Sequence, residues 1–466
     1  MTLRGRIRAV AVAGSAAVLI LGIWFSIRVN TEIRVATGVM SHTLCSGVFI
    51  SRLDPQQVYA EDILPNPGQA RLAKRLRYTI DRKNQQVTVT WAGHFESRSV
   101  YDDDLGCMIV QDGEPNVAPH ETKPGNAEDV HILSSASSLP GAPRSREIEA
   151  ALNRAFAEPE RPPYRSVKAI VIFHNGEVVG ERYAPGYSAE TSLMGYSVSK
   201  SVTNALIGIL ARQGKLSVAQ AAPIASWSNS ADPRHAITID ELLRMTSGLS
   251  ITESDSGLDP VSRMIFLERD MAGFAERSRL QTVPGNKWEY TSGNTLILSR
   301  IIRDSVGGNA RDVIHFARSE LFGPLGMTSA RMDFDATGTP VGSMYMYATA
   351  RDWAKFGALY LRDGMAGGRR ILPAGWADYS ATPTLNTDYG AGFWTNRGGH
   401  GDAEDRIEGG MPSDSFYASG NFGQRILIVP SENLVIVQLG QSHGPGQDIQ
   451  GFVRLAADVS AFLRKQ

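Results

Sequence analysis

Apolar and polar positions along this chain fall into blocks of different period, and the blocks divide it. From Ala9 to Ile27 the apolar pattern is continuous: nineteen residues carry no charge. As a helix that length spans about 28 Å, close to the hydrocarbon thickness of a bilayer. Arg4, Arg6 and Arg8 precede it, which favours an inside N-terminus, and no small-x-small cleavage site follows at once. Residues 1–40 are therefore expected to form a single-pass signal anchor in the bacterial inner membrane, with the body in the periplasm; a cleaved signal that releases the body there is the alternative. From Tyr78 to Tyr101 the period is two, with Val87, Val89 and Trp91 on one face, so a small β-rich pre-domain is expected over 41–135. The Ser/Pro/Gly-rich stretch that follows has no period and reads as a linker, 136–145.

Beyond it the pattern is helical at first, with Ile148, Leu152 and Phe156 four residues apart. Ala169–Tyr183 holds two β-rich runs around Asn175-Gly176, the pair that tolerates φ > 0, and predicts a hairpin. Val198, Val202, Leu206 and Ile209 form a helical stripe, helices continue to about Gly338, and Ser415–Gly440 returns to two strands around a turn at Pro430–Asn433. A hairpin, then helices, then closing strands predict an α+β domain over 146–466: an antiparallel sheet built from both ends, flanked by helices, with a helical subdomain inserted.

Composition adds limits. Apolar residues are 42% and charged ones 20%, an ordinary globular balance, and a net charge of −1 gives no bulk electrostatic case for nucleic acid. Cys45 and Cys107 are the two cysteines. In an exported body they either pair as a disulfide closing a long loop or remain two separate buried thiols.

Three stretches carry candidate chemistry. Ser197 and Lys200 lie three residues apart at the head of the helical stripe, so they share a face. A helix N-terminus favours an alkoxide and disfavours a second cation. For Lys200 to act as a base near pH 7 its pKa must fall by about 3, roughly 4 kcal/mol, which burial can supply. The competing reading is a helix-capping serine beside a solvated lysine. Tyr290, just before an apolar helix that begins near Ser292, is placed to relay a proton, or is a core tyrosine ahead of a helix cap. In Tyr417–Gln424, Gly420 and Gly423 would let a backbone or ligand approach a strand closely, or mark a bulge. The chain lacks H-E-x-x-H, G-x-S-x-G and a phosphate-binding loop. His174 at the hairpin turn and the acidic residues Asp402, Glu404 and Asp405 near His400 read as solvated surface.

"LARQGKLSV", "ITIDELLRMTSGLS", "LFGPLGMTSA" and "YATARDWAKFGALYLRDG" extend the match beyond these three stretches. From about Arg146 the chain resembles the serine β-lactamase and penicillin-binding superfamily, in its class C and esterase-like branch, over about 320 residues. The resemblance implies that Ser197 is the acylated nucleophile, Lys200 its base, and Tyr290 the tyrosine of Tyr-x-Asn, with Ser292 in place of the asparagine. Ala418-Ser419-Gly420 fall where the family has Lys-Thr-Gly or His-Thr-Gly. Together with Ser292 they would bind substrate, and the N–H groups of Ser197 and Asn421 would hold the oxyanion. Ala418 cannot hold a substrate carboxylate, a charge-assisted contact worth about 1.5–3 kcal/mol. Tyr-x-Ser and the nearby Gly-Gln resemble the 6-aminohexanoate-dimer hydrolase and esterase group. The expectation is hydrolysis of a small ester or linear amide through an acyl-enzyme, with no metal or organic cofactor and no nucleic-acid partner. A D,D-peptidase or β-lactamase, and a non-catalytic membrane-anchored sensor that keeps the fold, are the rivals.

Overall fold

The computed structural model describes residues 28–66, 70–72, 75–111, 145–254 and 257–465. The run Ala9–Ile27 and nearly all of the linker lie outside the described residues. The first element is a helix, α1 (Arg28–Ile50), long and apolar enough to cross a membrane but mostly buried within the fold. Ile33, Met40 and Leu44 are all covered, which makes it a core helix of this body. It passes without a break through residue 41, where the pre-domain was expected to begin.

Four antiparallel strands, β1 (Leu76–Asp81), β2 (Gln86–Trp91), β3 (His94–Asp102) and β4 (Gly106–Val110), form a sheet in sequence order beside α1. Val87 and Val89 are fully buried on the face that the period of two selects. Hydroxyl pairs join helix to sheet, Thr37 with Ser97 at 2.7 Å and Ser41 with Ser99 at 2.9 Å. A disulfide joins Cys45 to Cys107. Such a bond belongs to oxidising, extracytoplasmic compartments.

The larger body begins with α2 (Arg146–Phe156), where the Ser145 hydroxyl accepts from Ile148 N–H at 3.1 Å and caps the first turn. The hairpin β5 (Val167–His174) and β6 (Glu177–Tyr183) turns through Asn175 at φ 50 and Gly176 at φ 94. The inserted region holds α3 (Val198–Arg212), α4 (Pro260–Leu267), α5 (Ser292–Val306) and α6 (Ala350–Leu361). The chain returns to the sheet with β7 (Trp394–Thr395), β8 (Phe416–Gly420), β9 (Gln424–Val429) and β10 (Leu434–Gly440), and ends in α7 (Ile449–Leu463). The sheet order is β7-β8-β9-β10-β5-β6, antiparallel throughout, so the C-terminal strands do lie beside the N-terminal hairpin. Ser415–Gly440 contains three strands rather than two. Phe422 at φ 61 and Gly423 at φ 91 reverse the chain within what reads as one strand.

Alternation along β9 explains the layers. Ile426 and Ile428 join the core that includes α3 and α6, while Leu427 and Val429 pack on the other face with α2 and α7. The N-terminal unit is fastened to this body by buried polar contacts. His42 of α1 pairs with Asp333 at 2.8 Å, and Asp333 also accepts from Cys107 N–H at 3.1 Å and from the Tyr347 hydroxyl at 2.9 Å. Burial pushes the Asp333 carboxyl up, and the His42 contact works against that. The His42 ring stacks on Tyr345 at 3.8 Å. At the other side of the unit, Lys168 of β5 donates to Glu61 at 2.6 Å.

Candidate active site

Gly195, Tyr196 and Ser197 lead into α3. Tyr196 has φ 47, a left-handed conformation that costs a non-glycine residue about 1 kcal/mol or more and persists only where packing enforces it. Its ring meets Phe422 edge-on at 5.0 Å, and Phe422 is itself left-handed. The turn before α3 is thus braced against the turn after β8. Ser197 follows, and its hydroxyl makes no helix-capping bond. Among the described residues its N–H meets no acceptor, at the end of α3 where the helix field is positive.

The Ser197 hydroxyl meets Lys200 instead. Lys200 Nζ lies 3.0 Å from Ser197 Oγ, 3.0 Å from Ser292 Oγ and 3.0 Å from the Ser343 carbonyl oxygen. The lysine is only 3% exposed. Burial brings its pKa down to about 8, against the pull of Glu253, which favours the ammonium. A neutral amine can donate to Ser292 and Ser343 and still aim its lone pair at the Ser197 proton. Ser292 is in turn held by Glu253, which accepts from its N–H at 2.5 Å and from its hydroxyl at 3.2 Å. The polar chain therefore runs Ser197, Lys200, Ser292, Glu253.

Tyr290 closes the group. Lys200 Nζ sits 4.8 Å from the centre of its ring. Burial, with a contribution from Glu253, raises the phenol's pKa, and a hydrogen bond with Ser197 opposes the rise. Trp288, Tyr389 and Trp394 pack around the ring with centroids within 6.4 Å. On the other side of the serine runs β8. A β-carbon at Gly420 would lie 2.2 Å from the Gly195 carbonyl oxygen and 3.0 Å from Ser197 N, so only glycine lets the strand come this close. Ser419 and Asn421, on either side of it, line the same cavity as Tyr196 and Glu253.

The structure thus brings together Ser197, Lys200, Tyr290, Ser292 and Gly420, with Ser419 and Asn421 on the adjoining wall. Ala418 does not join them. It shares the face of β8 with Gly420, turned toward α3, and is 1% exposed in the core with Val198 and Val202, while Ser419 and Asn421 face the cavity. Two contributors escaped the sequence reading, Glu253 and the Ser343 carbonyl. Both come from irregular segments with no period, and a backbone carbonyl has no residue-type signal at all.

With that geometry in hand, comparison with known proteins is informative. The sequence profile of the Beta-lactamase family matches residues 165–459. The 6-aminohexanoate-dimer hydrolase of Paenarthrobacter ureafaciens is 25% identical over 226 residues, which cover 45% of this chain and 56% of that one. Among solved structures, the class C β-lactamase from Rhodobacter sphaeroides matches at a TM-score of 0.50 with 18% identity, over 69% of this chain and 100% of that one. EstCE1, a hydrolase with promiscuous acyltransferase activity, matches at 0.51 with 16% identity, over 67% of this chain and 97% of that one. At such identities the structural matches speak for the fold, while the profile spans well over half of the chain: the protein belongs to the Beta-lactamase family.

Proposed function

We propose that this protein hydrolyses an ester or a linear amide by two-step acyl transfer. The observation that carries the reading is the buried Lys200 amine, 3.0 Å from Ser197 Oγ and brought down to a pKa of about 8. Neutral Lys200 takes the Ser197 proton as Oγ attacks the substrate carbonyl. The oxyanion forms between Ser197 N–H and, across the Gly420 contact, Asn421 N–H. Tyr290, protonated and beside Ser197, passes its proton to the leaving oxygen or nitrogen and takes up the proton held by Lys200, which returns the amine to its neutral form. Water then enters, gives up a proton to the neutral amine and attacks the acyl carbonyl, and Lys200 returns that proton to Ser197 Oγ as the acyl group leaves. Glu253 holds Ser292 and so positions Lys200.

The name of the Paenarthrobacter ureafaciens relative points to a linear amide, and the match to EstCE1 supports acyl transfer more broadly. A penicillin-directed reading draws no support from Ala418, which is buried and carries no cation to hold a substrate carboxylate. For the chain as a whole the reading is an N-terminal anchor in the run Ala9–Ile27, a small N-terminal unit, a linker and a catalytic domain from residue 146, held in the periplasm. The test is intact-mass analysis of the full-length protein after exposure to a fluorophosphonate. One adduct in the wild type and none in Ser197→Ala is expected. A folded wild type that takes up no adduct would remove Ser197 as nucleophile.

A further inference from the structure

The cleft beside Ser197 continues well past it. One cavity of about 970 Å³ runs from Ser419 and Asn421 past Tyr196 to α1, outside the segment that matches the family profile. That volume sits at the upper end of what a drug-sized ligand fills. On α1 the lining residues are Glu32, Val35, Ala36, Val39, His42 and Thr43, the spacing of a single helical face. The other face of α1 is committed to the N-terminal sheet through Thr37, Ser41 and Cys45. Across the gap stand Val261 and Ile265, one turn apart on α4, with Met344 beside the carbonyl that holds Lys200. The two helices close on each other at Gly38, where a β-carbon would lie 3.4 Å from Phe266 Cβ. The result is a groove with an apolar stretch of wall, in a cavity that also holds charged side chains such as Glu253, Asp259 and Arg425; it reaches at one end the strand residues Ser419 and Asn421, which flank the Gly420 contact with Ser197 N, and ends outward at the exposed Glu32.

We propose that this groove receives the acyl chain of the substrate, an unbranched apolar chain of medium length. The N-terminal unit is then part of the specificity site. The inference rests on the reading of Ser197 as nucleophile. Continuity with the catalytic cavity is what selects the occupant: an acyl group tethered to Ser197 has this apolar path to follow. The leaving group departs toward Tyr290, whose ring is walled by Trp288, Tyr389 and Trp394, none of them from α1 or α4; of the three, Trp394 also lines the cavity and stands where the two paths meet. Each methylene buried in such a groove is worth about 0.8 kcal/mol, or roughly fourfold in kcat/KM.

The experiment measures kcat/KM of the full-length protein for p-nitrophenyl esters from acetyl to decanoyl, kept below their micelle limits, and for acetate esters of linear alcohols of the same lengths. Fluorophosphonate labelling of Ser197 is read on the same samples. In the wild type the acyl series should climb about fourfold per methylene until the groove is full, while the alcohol series stays flat. Val39→Trp, which fills the groove, should lower the octanoyl-to-acetyl ratio at least tenfold, and Ala36→Phe should do the same if the first variant folds poorly. Val178→Trp, on an exposed position of β6, should leave the ratio alone. A flat acyl series in labelled enzyme, a climb confined to the alcohol series, or a ratio untouched by both groove variants overturns the groove while leaving the nucleophile in place. Absence of labelling overturns the underlying reading, and the groove assignment with it.

Discussion

Burial sets the working range of Lys200. With a pKa of about 8, the amine is a minority neutral species at pH 7 and the majority above pH 8, so kcat/KM for an ester should rise with pH and level off above about 8. Glu253 pulls the other way by favouring the ammonium. In Glu253→Gln that pull is gone, the lysine pKa falls further, and the rising limb moves to lower pH; a limb that stays in place would show that Glu253 is not coupled to Lys200. The same shift has a sign for stability. The folded pKa lies below the ordinary 10.5, so between about pH 8 and pH 10.5 the unfolded chain binds more protons and this residue's contribution to stability rises with pH. Gly420 gives a sharper test. In Gly420→Ala the new methyl collides with the Gly195 carbonyl, the strand must move away from Ser197, and kcat should drop about 100-fold or more, the usual cost of a lost oxyanion donor. Ester kinetics beside a melting curve separate this from unfolding, since loss of activity with an unchanged melting temperature is the expected pattern. The spacing of Ser197 and Lys200 and the glycine at 420 were readable in the sequence because they are short local patterns. Glu253 was not, because its place depends on a loop meeting the first turn of α5 across the fold.

Among the elements, α1 has the most to explain. Period-four spacing identified α2 and α3, and Asn175-Gly176 identified the β5–β6 hairpin, since each signal is contained within its own segment. The sequence reading ends the N-terminal segment at residue 40. Arg28 and Arg34 follow a continuous apolar run, and nothing local tells a helix of the body from the tail of an anchor. What makes α1 a body helix is remote: Ser97 and Ser99 on β3, Cys107 on β4, and Asp333 in the larger domain. His42 is therefore the side chain on which its docking can be measured. In His42→Leu the Asp333 carboxyl keeps the Tyr347 hydroxyl and the Cys107 N–H but loses its imidazole partner, and leaving a buried polar group short of one hydrogen bond costs about 1–3 kcal/mol. The midpoint of urea unfolding should move down accordingly, and an unchanged midpoint would show that the pair adds nothing net. Replacing Cys45 and Cys107 by serine opens a loop of sequence separation 62, for which chain entropy predicts a loss of about 4 kcal/mol.

For the molecule as a whole, the question is whether the N-terminal unit and the catalytic domain are one folding unit or two joined by a surface. The unit has a core of its own around Met40, Leu44, Val87 and Val89. Yet Leu105 and Met108 at its edge belong to the large core of the catalytic domain, in one cluster with Val198, Val202 and Trp353. The contacts that cross between the parts include the buried His42–Asp333 pair and the Lys168–Glu61 pair, one at each side of the shared face. Interfaces between loosely coupled domains are more polar and exposed than this. A chain in which α1 both supports the N-terminal sheet and walls the cleft gains little from opening between them, because the parted halves would expose Val35, Ile265 and an Asp333 left with the Tyr347 hydroxyl alone. Calorimetry should therefore show one cooperative transition, with calorimetric and van't Hoff enthalpies equal. Loss of fluorophosphonate labelling should follow the same curve. Two transitions, with labelling surviving the first, would mean that the catalytic domain stands without α1 and that the cleft wall is detachable. Begun at residue 41, the chain would lack Ile33, Val35 and Thr37 but keep the whole catalytic domain. Its melting temperature should fall, and its preference among acyl chain lengths should disappear before its reaction with short esters does.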